Sequence, residues 1–414
     1  MNKDTKKVFI KNFGCQMNVR DSEVVSGLLR KGGYKIIDEF DKAEIIIFNT
    51  CSVRQHAEDK VWSEIGRISK LRKKEKKLKA GTVIIGLIGC MAQNYKETAF
   101  ERSPAIDFVV GPSDIDKIPR IIDDFMCSKL KANRRQPPEN GDRPLFLRKI
   151  WETDAQIRPE EIYHTGFYAD KEHAYVVISE GCSNYCSYCV VPYVRGSIHH
   201  RHYKNIIKEI EEAIKRGLTK ITLLGQNVNA YCFKPTPDTL PDRQAGRHPT
   251  PGVNFIQLLE LVNDIKGLKE FDFITSHPKD TSEELFKVMA GLEKLKKCLH
   301  LPIQSGSDRI LKMMNRGYTR ELYLDLVRNY RKIIKGGMLT TDIIIGFPTE
   351  TMEDFQETVN LVKEVRFNCA YIFKYSPRPG TQAANLADDV SREAKESRHA
   401  LILKIQKDIS RRIR

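Results

Sequence analysis

Three cysteines, Cys182, Cys186 and Cys189, stand at C-x3-C-x2-C spacing directly after the apolar run 174–178. Thiolate is the soft ligand that iron–sulfur clusters use, and three thiolates on one short loop can hold three irons of a [4Fe–4S] cluster. The fourth iron then lacks a protein ligand and can bind something else. The alternatives are a structural zinc site or unrelated thiols. Zinc sites usually pair C-x2-C with a second C-x2-C or a histidine pair at H-x3–5-H spacing, and neither follows here.

A second trio is dispersed. Cys15, Cys51 and Cys90 each come just after an apolar run that reads as a strand: 8–13, 45–50 and 83–89. Helical stretches lie between them, from about Glu23 to Lys31 behind a capping Asp21-Ser22, and from about His56 into a lysine-rich run. The order β-α-β-α-β predicts a doubly wound parallel sheet, whose strand carboxyl ends line the binding crevice. Three strands would thus deliver three thiols to one sheet edge. One such cysteine would be read as a small buried residue; three at equivalent positions favour a second metal site, again with three protein ligands. Cys127, Cys232, Cys298 and Cys369 match no ligand pattern.

The first domain is expected over 1–130, with a strand at 106–111 and a helix over 114–131. A Pro/Gly-rich connector follows over 131–168. From 169 to 395 the alternation resumes, with strands expected at 174–179, 221–224, 271–275, 299–303, 341–345 and 370–374. Six parallel strands with outer helices predict a partial (β/α)6 barrel, with its chemistry at the carboxyl ends of the strands. Cys182 follows the first of these ends. Strand-end polar residues Gln226, Ser276, Gln304 and Ser305 are therefore candidates for cofactor contact, as is Tyr188 between two of the cysteines. Asp342 is expected near the start of its strand, which weakens its case. The proline-rich stretch 231–254 reads as a loop, and 396–414 as a charged helix. The run His199-His200-Arg201-His202 is expected to be exposed, where it could touch RNA.

Composition narrows the partners. The 414 residues carry 69 Lys+Arg against 54 Asp+Glu, a formal charge of +15, which favours a polyanion such as RNA or DNA. The basic run 67–79 could hold phosphates or be a solvated helix end. No signal peptide or membrane-length apolar run is visible, and ten cysteines without a signal point to a reducing cytoplasm. No membrane partner is expected, and the chain is expected to be a monomer.

The stretches Gly14-Cys15-Gln16-Met17-Asn18, Asn49-Thr50-Cys51, Gly89-Cys90-Met91-Ala92-Gln93 and 182–189 resemble the methylthiotransferase family of radical S-adenosylmethionine (SAM) enzymes. The resemblance spans nearly the whole chain. It extends to 190–196, 223–229, 275–279, 300–307, 314–320 and 375–381. It implies two [4Fe–4S] clusters, one on Cys182, Cys186 and Cys189 and an auxiliary one on Cys15, Cys51 and Cys90. It implies two roles for SAM, as methyl donor and as source of a 5′-deoxyadenosyl radical. The implied substrate is an isopentenyladenosine beside the anticodon of a tRNA, with an external electron donor. No side chain is implied as a catalyst, because the clusters and SAM carry the reaction. The two cysteine sites would have to serve one cavity that admits a single adenine. Members of the family normally end in a small β-barrel RNA-binding (TRAM) domain, which is expected to be absent here. Two other readings are a ribosomal-protein aspartate methylthiotransferase and a non-catalytic, metal-stabilised RNA-binding protein.

Overall fold

The computed structural model describes residues 6–52, 55–74, 83–132, 149–153, 157–234 and 252–413. The chain divides into two compact units, Met1–Ala169 with Tyr193–Gly196, and Asp170–Pro192 with Ser197–Arg414. The connector at 133–143, the end of the basic run beyond 74 and most of the expected loop (235–251) lie outside the described residues.

The first unit is built on strands β1 (Lys7–Asn12), β2 (Lys35–Ile36), β3 (Ile45–Asn49), β4 (Ile84–Ile88), β5 (Phe108–Val110) and β6 (Ile150–Glu152). They pair in the order β2-β1-β3-β4-β5-β6, every neighbour parallel. The central strands Ile-Ile-Ile-Phe-Asn and Ile-Ile-Gly-Leu-Ile are buried at every residue, as expected where helices cover both faces of a parallel sheet. Those helices are α1 (Gln16–Lys31), α2 (Gln55–Lys74), α3 (Cys90–Tyr95), α4 (Thr98–Arg102) and α5 (Ile118–Ala132). Val61, Ile65 and Ile68 of α2 pack on Ile46 and Phe48 of β3 and on Ile85 and Leu87 of β4.

Two features differ from the sequence expectation. Helix α1 begins at Gln16, with Cys15 as its N-cap, not near Glu23. Asp21 and Ser22 have cap chemistry but are otherwise engaged: Asp21 forms buried ion pairs, and Ser22 Oγ accepts from Asn49 Nδ2 at 2.9 Å. The stretch 131–168 is more than a connector, since β6 joins the sheet and 160–165 forms a 3-10 turn in the same unit. A three-residue strand leaves too little alternation to be seen in sequence.

In the second unit the chain runs β7 (His173–Val177), β8 (Ser179–Glu180), α6 (Val191–Arg195, whose last turn belongs to the first unit), β9 (His199–His200), α7 (Tyr203–Lys215), β10 (Lys220–Leu224), β11 (Cys232–Phe233) and β12 (Val253–Asn254). It continues with α8 (Phe255–Asn263), β13 (Glu270–Ile274), α9 (Glu283–Gly291), β14 (Cys298–His300), α10 (Asp308–Met313) and α11 (Arg320–Ile333). The last elements are β15 (Met338–Ile345), α12 (Met352–Val365), β16 (Cys369–Lys374) and α13 (Arg392–Ile413). Strands β7, β10 and β13 form one parallel group, and β14, β15 and β16 another. A parallel bridge from Phe271 to Leu295 and the bond from Ser276 N to His300 O (3.3 Å) join the two groups. The result is the expected partial (β/α)6 barrel.

Its helices start where cap chemistry dictates. Asn254 with Gln257 opens α8, and Thr351 with Asp354 opens α12, each as a reciprocal capping box. Helix α13 packs on the last strand, with Gln406 Nε2 donating to Phe367 O (2.8 Å) and Ser410 Oγ to Asn368 O (3.1 Å). The 396–414 segment is therefore largely an integral part of the barrel unit. Arg201, expected at the surface, is buried: it donates to Glu209 and to the Val177 carbonyl, both at 2.6 Å.

Candidate metal centres

The order β2-β1-β3 reverses direction at β1, so the sheet's topological switch point lies between β1 and β3, where such folds bind ligands. Cys15 follows β1 and Cys51 follows β3, one on each side of that point; Cys90 follows β4. The three thiols meet, with Cys51 hydrogen-bonded to both Cys15 and Cys90. Receiving that bond lowers the pKa of Cys15 and Cys90, and the charge of Arg195 pulls the same way, while burial opposes both. Cys51, which stands between them, is pushed up by its hydrogen bonding with the two and by burial. Among the described residues no three His, Cys, Asp or Glu are grouped so as to hold one metal ion. A cubane does not ask for that, because each thiolate binds a different iron.

Behind the thiols lies a buried charge network. Arg195 Nε donates to Cys90 Sγ at 3.1 Å and Arg195 Nη2 to Asp21 Oδ2 at 2.6 Å. Arg158 Nη1 donates to the other Asp21 oxygen at 2.7 Å. Asp21 is fully enclosed, and the two guanidiniums hold its carboxyl below the usual range against the opposing pull of burial. Asn18 and Asn49 brace the same corner, Asn18 Nδ2 donating to Asn49 Oδ1 at 2.9 Å.

In the second unit, Cys182, Cys186 and Cys189 sit on a loop just beyond β8. The loop is fixed from the segment after α10. Ser187 N donates to Met314 O (3.0 Å), Asn315 Nδ2 to Tyr185 O (3.0 Å) and Arg316 Nη1 to Cys186 Sγ (3.3 Å). Burial pushes Cys182 up and Cys189 up to about 12. These thiols would give up their protons on ligation, and the nearby Arg316 charge favours that. Both trios therefore fit a three-thiolate cluster: convergent sulfurs, little solvent and a cation beside each.

The same architecture recurs in known proteins. A model of the uncharacterized protein family UPF0004 matches residues 7–111, and one of the Radical SAM superfamily matches 176–362. A tRNA-2-methylthio-N(6)-dimethylallyladenosine synthase of Moorella thermoacetica is 38% identical, the match covering 99% of this chain and 84% of that protein. Its counterpart in Thermodesulfovibrio yellowstonii is 40% identical over 98% of this chain and 84% of that one. The chain belongs to the radical SAM methylthiotransferase family. Among solved structures, the radical SAM methyltransferase TsrM of Kitasatospora setae superimposes with a TM-score of 0.56 at 14% identity, covering 92% of this chain and 77% of that one. At that identity the likeness is one of fold alone.

In this methylthiotransferase the strand-end candidates fall into two groups. Ser276 Oγ, beyond β13, is buried and makes no hydrogen bond, and beyond β10 the same holds for Asn227 Oδ1, beside Gln226. Asn227 Nδ2 donates to Asp280 Oδ2 at 2.6 Å, which fixes the direction of its free oxygen. Gln304 bridges to Ile343 with its backbone in the left-handed region (φ 73°). Ser305 has internal partners, Thr358 Oγ1 (3.4 Å) and Ser307 N (3.2 Å). Tyr188 packs beside Ile310, Met314 and Phe347, with its hydroxyl 3.4 Å from Arg316 Nη1. Asp342 lies inside β15 rather than at its start, because the strand begins at Met338; its carboxylate is 3.4 Å from His300 Nε2.

Arg195 and Arg316 received no role from the sequence, and Asp21 only that of a helix cap. Both arginines fall in stretches that carry the family resemblance, but nothing in their spacing marks them as buried.

His277 carries a pH dependence. Its Nδ1 accepts from Lys279 N (3.2 Å), its Nε2 is buried without a partner, and burial pushes its pKa down to about 2. The folded value lies below the unfolded one of about 6.5, so stability is unaffected above that pH and falls below it, as the unfolded chain takes up a proton the folded chain refuses. At pH 5 the loss should be about 2 kcal/mol. Urea denaturation at pH 7.5 and 5 should show that loss in the native chain. His277→Asn, which keeps a cap acceptor, should shrink it.

Proposed function

We propose that this chain transfers a methylthio group to C2 of N6-isopentenyladenosine beside the anticodon of a tRNA. The observation that carries the reading is the second trio: Cys15, Cys51 and Cys90 gathered at the switch point of a sheet separate from the barrel. Hydrogen abstraction alone needs only the barrel loop, whereas inserting sulfur needs a second place to keep it. Relatives that match nearly the whole chain are named for this product.

Cys182, Cys186 and Cys189 would hold the radical cluster, and Cys15, Cys51 and Cys90 the auxiliary one. When bound, the two clusters and two SAM molecules supply the 5′-deoxyadenosyl radical that takes the C2 hydrogen and the methylated sulfur that replaces it. The chain's own residues bind and orient. Ser276 Oγ and Asn227 Oδ1 offer unspent, buried hydrogen-bonding capacity at the barrel's strand ends, where the amino, carboxylate and ribose groups of SAM need partners. Gln226 follows β10, Gln304 comes after β14 and Tyr188 stands between two of the cysteines, so each remains a candidate for such contact, whereas Ser305 shapes the turn through Thr358. The anticodon loop is single-stranded, so its base can be splayed out to reach the site. The excess positive charge of the chain favours the tRNA backbone.

The test is a comparison of substrates. Anaerobically reconstituted protein, SAM and a reductant are incubated with isopentenylated tRNA or with the ribosomal protein that related enzymes modify at aspartate. Methylthio-nucleoside is the expected product; methylthiolation of the protein alone would refute the proposal.

A further inference from the structure

Each trio of cysteines has one buried arginine whose N–H points at a ligand sulfur. Arg195 Nε lies 3.1 Å from Cys90 Sγ, and Arg316 Nη1 lies 3.3 Å from Cys186 Sγ. Both residues are enclosed, with whole-residue relative exposures of 7% and 5%. They differ in how their charge is met. Arg195 shares Asp21 with Arg158, so a carboxylate offsets it at 2.6 Å. Arg316 donates instead to Tyr318 Oη (2.8 Å), Pro302 O (3.0 Å), Cys186 Sγ and Tyr188 Oη. All of these partners are neutral until the thiol ionises, and no ion pair joins Arg316 to a carboxylate among the described residues.

A cluster's reduction potential is set in part by hydrogen bonds to its sulfurs and by nearby charge. Reduction adds an electron to an already anionic group. A buried cation beside a ligand sulfur stabilises that reduced state, the more so in a low local dielectric. We propose that Arg195 and Arg316 are positioning residues that raise the reduction potential of the cluster beside each, and that Arg316, unopposed by a carboxylate, does so more strongly. This rests on the assignment of the two cluster sites above. The chemistry it serves is electron delivery: the reductive cleavage of SAM draws its electron from the cluster that Arg316 faces.

The test uses the full chain with one trio at a time replaced by alanine, so that each cluster is read alone. Its midpoint potential is followed by electron paramagnetic resonance during an anaerobic redox titration. Arg316→Gln should lower the reduction equilibrium constant of the radical cluster tenfold or more, which is about 59 mV for a one-electron couple. Arg195→Gln should lower that of the auxiliary cluster by less. Where a glutamine variant loses its iron, the lysine variant is read instead. Lysine keeps the charge without the guanidinium fork, and a smaller drop is expected. Unchanged potentials in variants that hold iron, or a larger shift from Arg195 than from Arg316, would overturn the proposal. Parent proteins that bind no iron would instead overturn the cluster assignment itself.

Discussion

Replacing Cys15, Cys51 and Cys90 together by alanine should abolish methylthio transfer while leaving SAM cleavage running. About half of the iron, four atoms of about eight, should be lost. The separation follows from the architecture. The three residues follow strands β1, β3 and β4 of the first unit, whereas the barrel loop is fixed within its own unit by Met314, Asn315 and Arg316. Alanine removes the sulfurs with little change in volume, so the sheet should persist. The measurement is paired: 5′-deoxyadenosine and methylthio-nucleoside are quantified in the same reaction. Loss of both products with all iron retained would contradict the division of roles. The reciprocal variant, with Cys182, Cys186 and Cys189 replaced, should make neither product.

The second large effect is one of stability. Asp21→Asn should destabilise the first unit by about 3–5 kcal/mol, because it leaves the guanidiniums of Arg158 and Arg195 buried without their counterion. Their side chains are each 2% exposed and that of Asp21 is fully enclosed, so water cannot take the carboxylate's place. Urea denaturation should show a lower midpoint at an unchanged slope. Breaking the exposed pair of Arg392 and Glu396 (2.9 Å) is the control and should leave the midpoint where it was. A native-like midpoint for Asp21→Asn would mean that the network is not what holds this corner together. The same substitution should loosen Arg195 and, through it, the hydrogen bond to Cys90.

The placing of Cys15, Cys51 and Cys90 at one sheet edge was legible in sequence for a physical reason. Parallel strands announce themselves as short apolar runs, and a cysteine directly after each run lands at the sheet's carboxyl edge whatever the rest of the chain does. The barrel strands were legible in the same way, to within a few residues. Residues whose roles depend on long-range partners were not. Asp21 looks like a helix cap because aspartate often is one, and only Arg158, 137 positions away, shows that its carboxylate is spent elsewhere. Arg201 sits in a run of histidines that reads as surface, yet Glu209 in the middle of α7 draws it inside. Strand β6 is three residues long and gains its identity only by pairing with β5. Arg195 and Arg316 are single polar residues in motif stretches, and nothing local distinguishes a sulfur partner from a phosphate partner.

The most direct test of two three-thiolate sites on one chain is a count of iron and acid-labile sulfide after anaerobic reconstitution. Two clusters require about eight irons and eight sulfides per chain. Four of each would leave the barrel loop alone as a cluster site, and a value near zero, with zinc in its place, would contradict the enzyme reading altogether.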